Sequence, residues 1–186
     1  QRLSHGRSVQ GEVEAALSFV AAHTVEVTCA GRTDAGVHAR CQVVHFDSDA
    51  PRSTRARAMG ATSRLGPDVA VLWAQQVPDD FHARFGARAR RYRYLILNRT
   101  MRPALRARFV TWERVPIDVE AMHAAAQVLL GEHDFSAFRA IACQSRTAMR
   151  NVHEVSVVRD GDRVSIEIEA NAFLHHMVRN IVGSLL

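Results

Sequence analysis

The chain of 186 residues is 47% hydrophobic and 23% charged, a balance that supports one sizeable core or two smaller ones and excludes a disordered chain. Its formal net charge is +5 and every one of the 24 Lys+Arg positions is arginine, whose planar guanidinium suits phosphate and points to an anionic partner, although a codon bias would give the same total. Three cysteines, Cys29, Cys41 and Cys143, form no C-x-x-C pair, and no run approaches the roughly 20 apolar residues of a membrane-spanning helix, so a disulfide framework, a zinc ribbon and a transmembrane helix are excluded and a reducing cytoplasm is expected.

In chain order, Ser8 stands as an N-cap before "VQGEVEAALSFVAAH", whose Val9, Val13, Ala16, Leu17 and Val20 fall on one helical face, predicting a helix over 8–22. "VEVTCA" predicts a strand over 25–30, "GRTDAG" a turn and "ARCQVVHF" a second strand. Pro51 and Ser53 open a helix to about Leu65, ended by Gly66-Pro67, and "VAVLWAQQV" and "RRYRYLILN" supply two further strands. Asp118 caps a helix over "VEAMHAAAQVLLGE" that stops at Gly131, and "HDFSAF" follows as a loop or single turn. Residues 149–158 and 163–170 alternate around "RDGDR" as a hairpin, and a helix begins near 173. Strands mixed with amphipathic helices, without strict alternation, predict an α+β fold with a largely antiparallel sheet. A boundary falls between Arg106 and Pro116, giving halves 1–105 and 106–186. The chain opens on Gln1 and stops inside the apolar run "MVRNIVGSLL", so its ends read as cuts in a longer protein.

Between Phe81 and Trp112 there is no acidic residue, while Arg84, Arg88, Arg90, Arg91, Arg93, Arg99, Arg102, Arg106 and Arg108 all fall there with Phe85, Tyr92 and Tyr94. Positive charge interleaved with aromatics is what a groove for RNA needs; a solvated face with core aromatics has the same composition. Tyr92 and Tyr94 share one face of their strand, opposite Arg91 and Arg93. Asp34 is a lone acid in a glycine-flanked turn, a pattern equally served by an Asx-turn, a helix cap or an ion pair with Arg32. The ten histidines, including His38, His45, His175 and His176, show no metal-ligand spacing, so no metal is expected. An aspartyl phosphatase would need paired aspartates and a magnesium site, whereas the next acids after Asp34 are Asp47 and Asp49.

"AGRTDAGVHA" resembles the catalytic motif of the TruA-type tRNA pseudouridine synthases. "RSVQGEVEAAL" is similar to the first helix of that family, "RRYRYLI" to its tyrosine strand, "HDFSAF" to its second-half signature and "NAFLHHMVRNIVGSL" to its late active-site helix. The resemblance covers essentially the whole chain. Family members begin with a strand and a glycine- and tryptophan-containing loop of which only the closing Gln1-Arg2 matches here, and they continue past Leu186.

The resemblance implies the pseudouridine synthase fold, with two similar halves and helices flanking the sheet. It implies a homodimeric isomerase that needs no cofactor and converts uridine to pseudouridine at positions 38 to 40 of the tRNA anticodon arm. It places Asp34 as the catalytic aspartate, nucleophile or base, Arg179 as the partner that keeps it ionised and aimed, Tyr92 as the aromatic that stacks on the target uracil, and Arg32 as a contact to flipped-out RNA. A non-catalytic tRNA-binding module on the same fold is the alternative.

Overall fold

The computed structural model describes residues 6–186, so the expected match at Gln1-Arg2 lies outside the described residues. The chain divides into two compact units, Gln1–Ala87 and Arg88–Leu186.

In the first unit, α1 spans Val9–Ala21, and the Ser8 hydroxyl accepts the Gly11 N–H at 3.2 Å, a cap of the kind that contributes about 1 kcal/mol. The two expected strands shrink to β1, Thr28–Cys29, and β2, Val44–His45, paired antiparallel. The reason lies on α1. Its Ser18 hydroxyl accepts the Val25 N–H at 2.9 Å, its Glu14 carboxylate accepts the Val27 N–H at 3.0 Å, and Gln10 Nε2 donates to the Val27 carbonyl at 3.2 Å. Gln10, Glu14 and Ser18 recur every four residues and so share one helix face. Side chains thus satisfy backbone groups that a strand neighbour would otherwise take, and Val25 and Val27 still alternate inward around exposed Glu26.

Helix α2, Thr54–Arg64, is capped by Ser53, whose hydroxyl accepts the Ala56 N–H. It packs on α1 so closely that a Cβ on Gly60 would lie 2.9 Å from a Val20 methyl. Ala16, Leu17, Val25, Val27 and Ala61 form the small core beneath. The strand expected over 69–77 does not form. Thr62 takes its place as partner: its hydroxyl accepts the Val71 N–H at 2.9 Å and donates to the Val71 carbonyl at 3.1 Å. Val71 packs on the core while Leu72 and Trp73 stay exposed.

The second unit is built on a five-stranded sheet in the order β4-β3-β7-β6-β5. Its strands are β3, Arg90–Asn98; β4, Thr111–Glu113; β5, Gly131–Asp134; β6, Met149–Asp160; and β7, Arg163–Ala170. All pairs are antiparallel except β3 with β4. The mixed, largely antiparallel α+β architecture is thus observed. Helix α3, Val119–Ala126, starts at Asp118 as expected, but its last residues tighten into a 3-10 turn, Gln127–Leu129. "HDFSAF" divides between the end of β5 and a 3-10 turn, Ser136–Phe138. Helix α4 begins later than 173, at Met177, and ends at Leu185.

Val152, Val155 and Val157 of β6 and Val164, Ile166, Ile168 and Ala170 of β7 face a core closed by Met122, Ala126, Phe135, Met177, Ile181 and Val182. A bulge between Val152 and Glu154 turns both His153 and Glu154 outward before the alternation resumes at Val155.

Replacing Glu14 with alanine leaves the Val27 N–H without its acceptor, and the full chain loses about 1–3 kcal/mol in urea unfolding. Glu14→Gln retains an acceptor oxygen and stays close to the parent; equal loss in both variants would refute this role.

Candidate active site

In the first unit the stretch "AGRTDAGVHARCQVVHF" forms the end and return arm of a hairpin. Thr28 pairs with His45 and Cys29 with Val44, the Ala30 N–H donates to the Val43 carbonyl at 2.9 Å, and Gln42 Nε2 donates to the Gly31 carbonyl at 2.9 Å. These contacts close the base of a loop that carries Arg32 and Asp34 together. Within it the Val37 N–H donates to the Asp34 carbonyl at 3.1 Å, and Gly36 sits at φ 81°. That is a tight turn whose third residue needs positive φ, the reason for a glycine there. Asp34 is half-buried, while Arg32, Thr33 and residues 35–42 are exposed. No helix follows Asp34, so the helix-cap reading of this acid falls.

In the second unit Tyr92 and Tyr94 point to the core side of β3, with Arg91 and Arg93 on the outer side. The Tyr92 ring meets Phe173 edge-on, with centroids 5.0 Å apart. Phe173 lies in the segment leading into α4, where His176 takes a left-handed conformation (φ 63°) just before Met177. Asn180 Nδ2 donates to the Phe138 carbonyl at 3.0 Å, and the Ala140 N–H donates to the His175 carbonyl at 3.1 Å. The tyrosine strand, the "HDFSAF" segment and the late helix therefore meet around one small region of this unit. Met177, Ile181 and Val182 bury one side of α4, and Arg179 is exposed.

The arginine-rich run divides by location. Arg91 pairs with Glu154 at 2.7 Å and Glu169 at 2.8 Å, Arg93 with Glu167 at 2.5 Å, and Arg99 with Asp162 at 3.4 Å. Hydrogen bonding from Arg91 holds the Glu169 carboxyl below its ordinary range. Arg91 and Arg93 are thus part of an ion-pair ladder across the outer face of the sheet, and the solvated-face reading holds for them.

Residues absent from the sequence reading hold the loop beside α4. Arg139 donates to the carbonyls of Cys143 at 3.0 Å and Ser145 at 2.7 Å. Arg150 is only 7% exposed, and it donates to the Thr147 carbonyl at 3.1 Å and to the Ser145 hydroxyl at 2.6 Å. Burial lowers the Arg150 guanidinium from its ordinary value. Burial also pushes the Cys143 thiol up, but N–H donors from His175 and Ser145, with the Arg139 charge, outweigh it and leave the thiol lowered. The signal was present in "CQSRTAMRN", where an arginine falls at an inward position of an alternating strand.

Comparison with known proteins identifies the family. A family model described as tRNA pseudouridine synthase matches residues 1–86 and 125–186; Tyr92 lies between the matched stretches. The tRNA pseudouridine synthase A of Xanthomonas euvesicatoria pv. vesicatoria is 61% identical over 181 residues, covering 97% of this chain and 70% of that protein. The tRNA pseudouridine synthase A of Xylella fastidiosa is 59% identical over the same shares. The chain belongs to the tRNA pseudouridine synthase family, isomerases that act on tRNA. No helix among the described residues is long and apolar enough to cross a membrane.

Asp134 anchors the turn that carries Phe138. Its carboxylate accepts from the Ser136 hydroxyl at 2.5 Å and the Ser136 N–H at 2.9 Å, and these donors, the hydroxyl first, hold it below the usual aspartate value. A lowered folded value stabilises fully above the unfolded value of about 3.9, and the contribution is lost as pH falls through the folded value. Asp134→Asn is therefore less stable than the parent at pH 7, and the urea midpoints converge as pH falls through the lowered folded value. A gap that stays constant with pH would assign the contribution to something other than this carboxylate.

Proposed function

We propose that Asp34 is the nucleophile of a uridine-to-pseudouridine isomerisation in the anticodon stem-loop of tRNA, at positions 38 to 40. The reaction breaks the bond from uracil N1 to ribose C1′, turns the detached base and rejoins it through C5; the C5 hydrogen leaves to solvent as a proton and N1 takes up a proton in its place. Atoms balance without redox or an external group, so one carboxylate can suffice. The observation that carries this reading is the loop itself. Asp34 is half-buried in a turn closed by its own carbonyl and by Gly36, at the end of a hairpin whose base is hydrogen-bonded.

Arg179 supplies the positive charge that keeps the aspartate ionised and aimed, since an opposite charge favours the carboxylate form. Tyr92 stacks on the target uracil, and its edge-on contact with Phe173 supports a fixed ring plane. Arg32, exposed two residues before Asp34 in the same loop, contacts the RNA backbone of the extruded nucleotide. Extrusion costs a few kcal/mol, offset by phosphate contacts and stacking. The working unit in this reading is a cytoplasmic homodimer.

The test is tritium release from tRNA carrying 5-tritiated uridine, measured on the full chain. Asp34→Asn keeps the shape and removes the charge, and it lowers single-turnover pseudouridine formation by about 1000-fold or more while tRNA binding persists. Release at the parental rate from Asp34→Asn removes the aspartate from the mechanism. Release confined to uridines outside the anticodon arm removes the site assignment alone.

A further inference from the structure

A second aromatic surface stands in the first unit, away from the Asp34 loop in sequence. The His82 and Phe85 rings stack with centroids 4.2 Å apart and planes inclined by 26°. The stack is held by backbone: His82 Nδ1 accepts the Arg84 N–H at 3.2 Å and the Phe85 N–H at 3.1 Å. An acceptor Nδ1 places the imidazole proton on Nε2 and fixes the ring orientation.

The turn beneath is tight. The Gly86 N–H donates to the His82 carbonyl at 2.8 Å, and a Cβ on Gly86 would lie 2.9 Å from that oxygen. On the inner side His82 lies against His45, with centroids 4.7 Å apart, and His45 Nδ1 accepts the N–H of buried Ala83 at 3.1 Å. Two imidazoles therefore back the phenyl ring from inside the unit.

Phe85 itself is 80% exposed. A large aromatic ring so exposed yet so firmly oriented gains little for folding. The Arg84 guanidinium carbon lies over the Phe85 ring, 6.0 Å from its centroid, which sets a cation beside the exposed aromatic. An exposed aromatic ring with a guanidinium beside it fits an unpaired nucleobase and its phosphate, because every base has a π-face and stacking tolerates any sequence.

We infer that the His82–Phe85 stack, with Arg84 beside it, is a platform on which an unpaired base of the tRNA substrate stacks, at a point separate from the uridine that reacts. The inference rests on tRNA being the substrate and not on the role of Asp34. Its contribution is to binding: it orients the RNA and touches none of the reacting atoms.

The experiment measures equilibrium binding of an unmodified tRNA transcript to the full chain, in the Asp34→Asn background so that turnover does not intervene. Phe85→Leu keeps an apolar side chain but loses the π-face, and it weakens tRNA binding about 10-fold. Phe85→Trp restores binding to within about 2-fold, on the same stacking argument. A fully double-stranded RNA of matched length, whose bases remain stacked on one another, binds all three proteins alike. Thermal unfolding of each variant identifies any loss of folded protein, and binding is compared per folded molecule. Parental tRNA affinity in Phe85→Leu overturns the inference, as does a Trp variant as weak as the Leu variant. An equal loss for double-stranded RNA, or a change in self-association with tRNA affinity intact, overturns it too. If Asp34→Asn proves fully active, the binding comparison still stands, because it is made between Phe85 variants in one background.

Discussion

The pairing of β3 with β7 governs what the second unit can present. Tyr92 lies opposite Ile168 and Arg93 opposite Glu167, so each inward residue of one strand meets an inward residue of the next, and the outward Arg91 and Arg93 meet the outward acids Glu169 and Glu167. Side chains alternate with a period of two, and a slip by one residue would drive Arg91 and Arg93 into a core of valine and isoleucine while exposing both tyrosines. Burying unpaired guanidinium groups costs far more than any gain from a slipped register. The charge ladder of Arg91, Arg93, Glu154, Glu167 and Glu169 therefore matters less for its own stabilisation, which is small at an exposed surface, than for excluding the wrong register. Tyr92 faces Phe173 as a result, and the segment leading to α4 follows.

The same period explains why much of this unit was legible in the sequence. Residues 90–98 and 163–170 alternate cleanly, and Asp118 announces α3 by its side chain; all three are found where the sequence puts them. Segment 25–30 alternates just as well and 69–77 carries a strand-like apolar run, yet the two have almost no ladder. Their backbone groups are met by Glu14, Ser18 and Thr62, side chains of neighbouring helices. Alternation reports which side of an extended segment is buried, and Val25 and Val27 are buried as that pattern requires. It does not report what satisfies the N–H and C=O groups along the edge, because the partner is remote in sequence. β4 shows the converse: three residues, parallel to β3, are too short for periodicity to register.

Arginine content was a weaker guide than arginine position. The sequence groups the arginines from Arg84 to Arg108 as one basic run, but the structure assigns several of them to other tasks. Arg91, Arg93 and Arg99 meet carboxylates, and Arg90 donates to the Asn171 carbonyl at 2.8 Å. Elsewhere Arg57 reaches the Ala50 carbonyl at 2.9 Å, and Arg139 and Arg150 fasten the loop from Cys143 to Thr147. A chain without lysine uses guanidinium groups for jobs that need several donors in fixed directions, so its net charge overstates the surface available to phosphate.

The loop around Asp34 follows from a different constraint. A residue on a loop holds a definite direction only if the loop's base is rigid and its tip is short of conformational freedom. The Ala30–Val43 and Gln42–Gly31 hydrogen bonds meet the first requirement, and the Asp34–Val37 turn with Gly36 at positive φ meets the second. Neither uses the carboxylate. The backbone of Asp34 is committed to the turn through its carbonyl. On the proposed reading of Asp34, the backbone contacts that fix the loop are distinct from the carboxylate that would react.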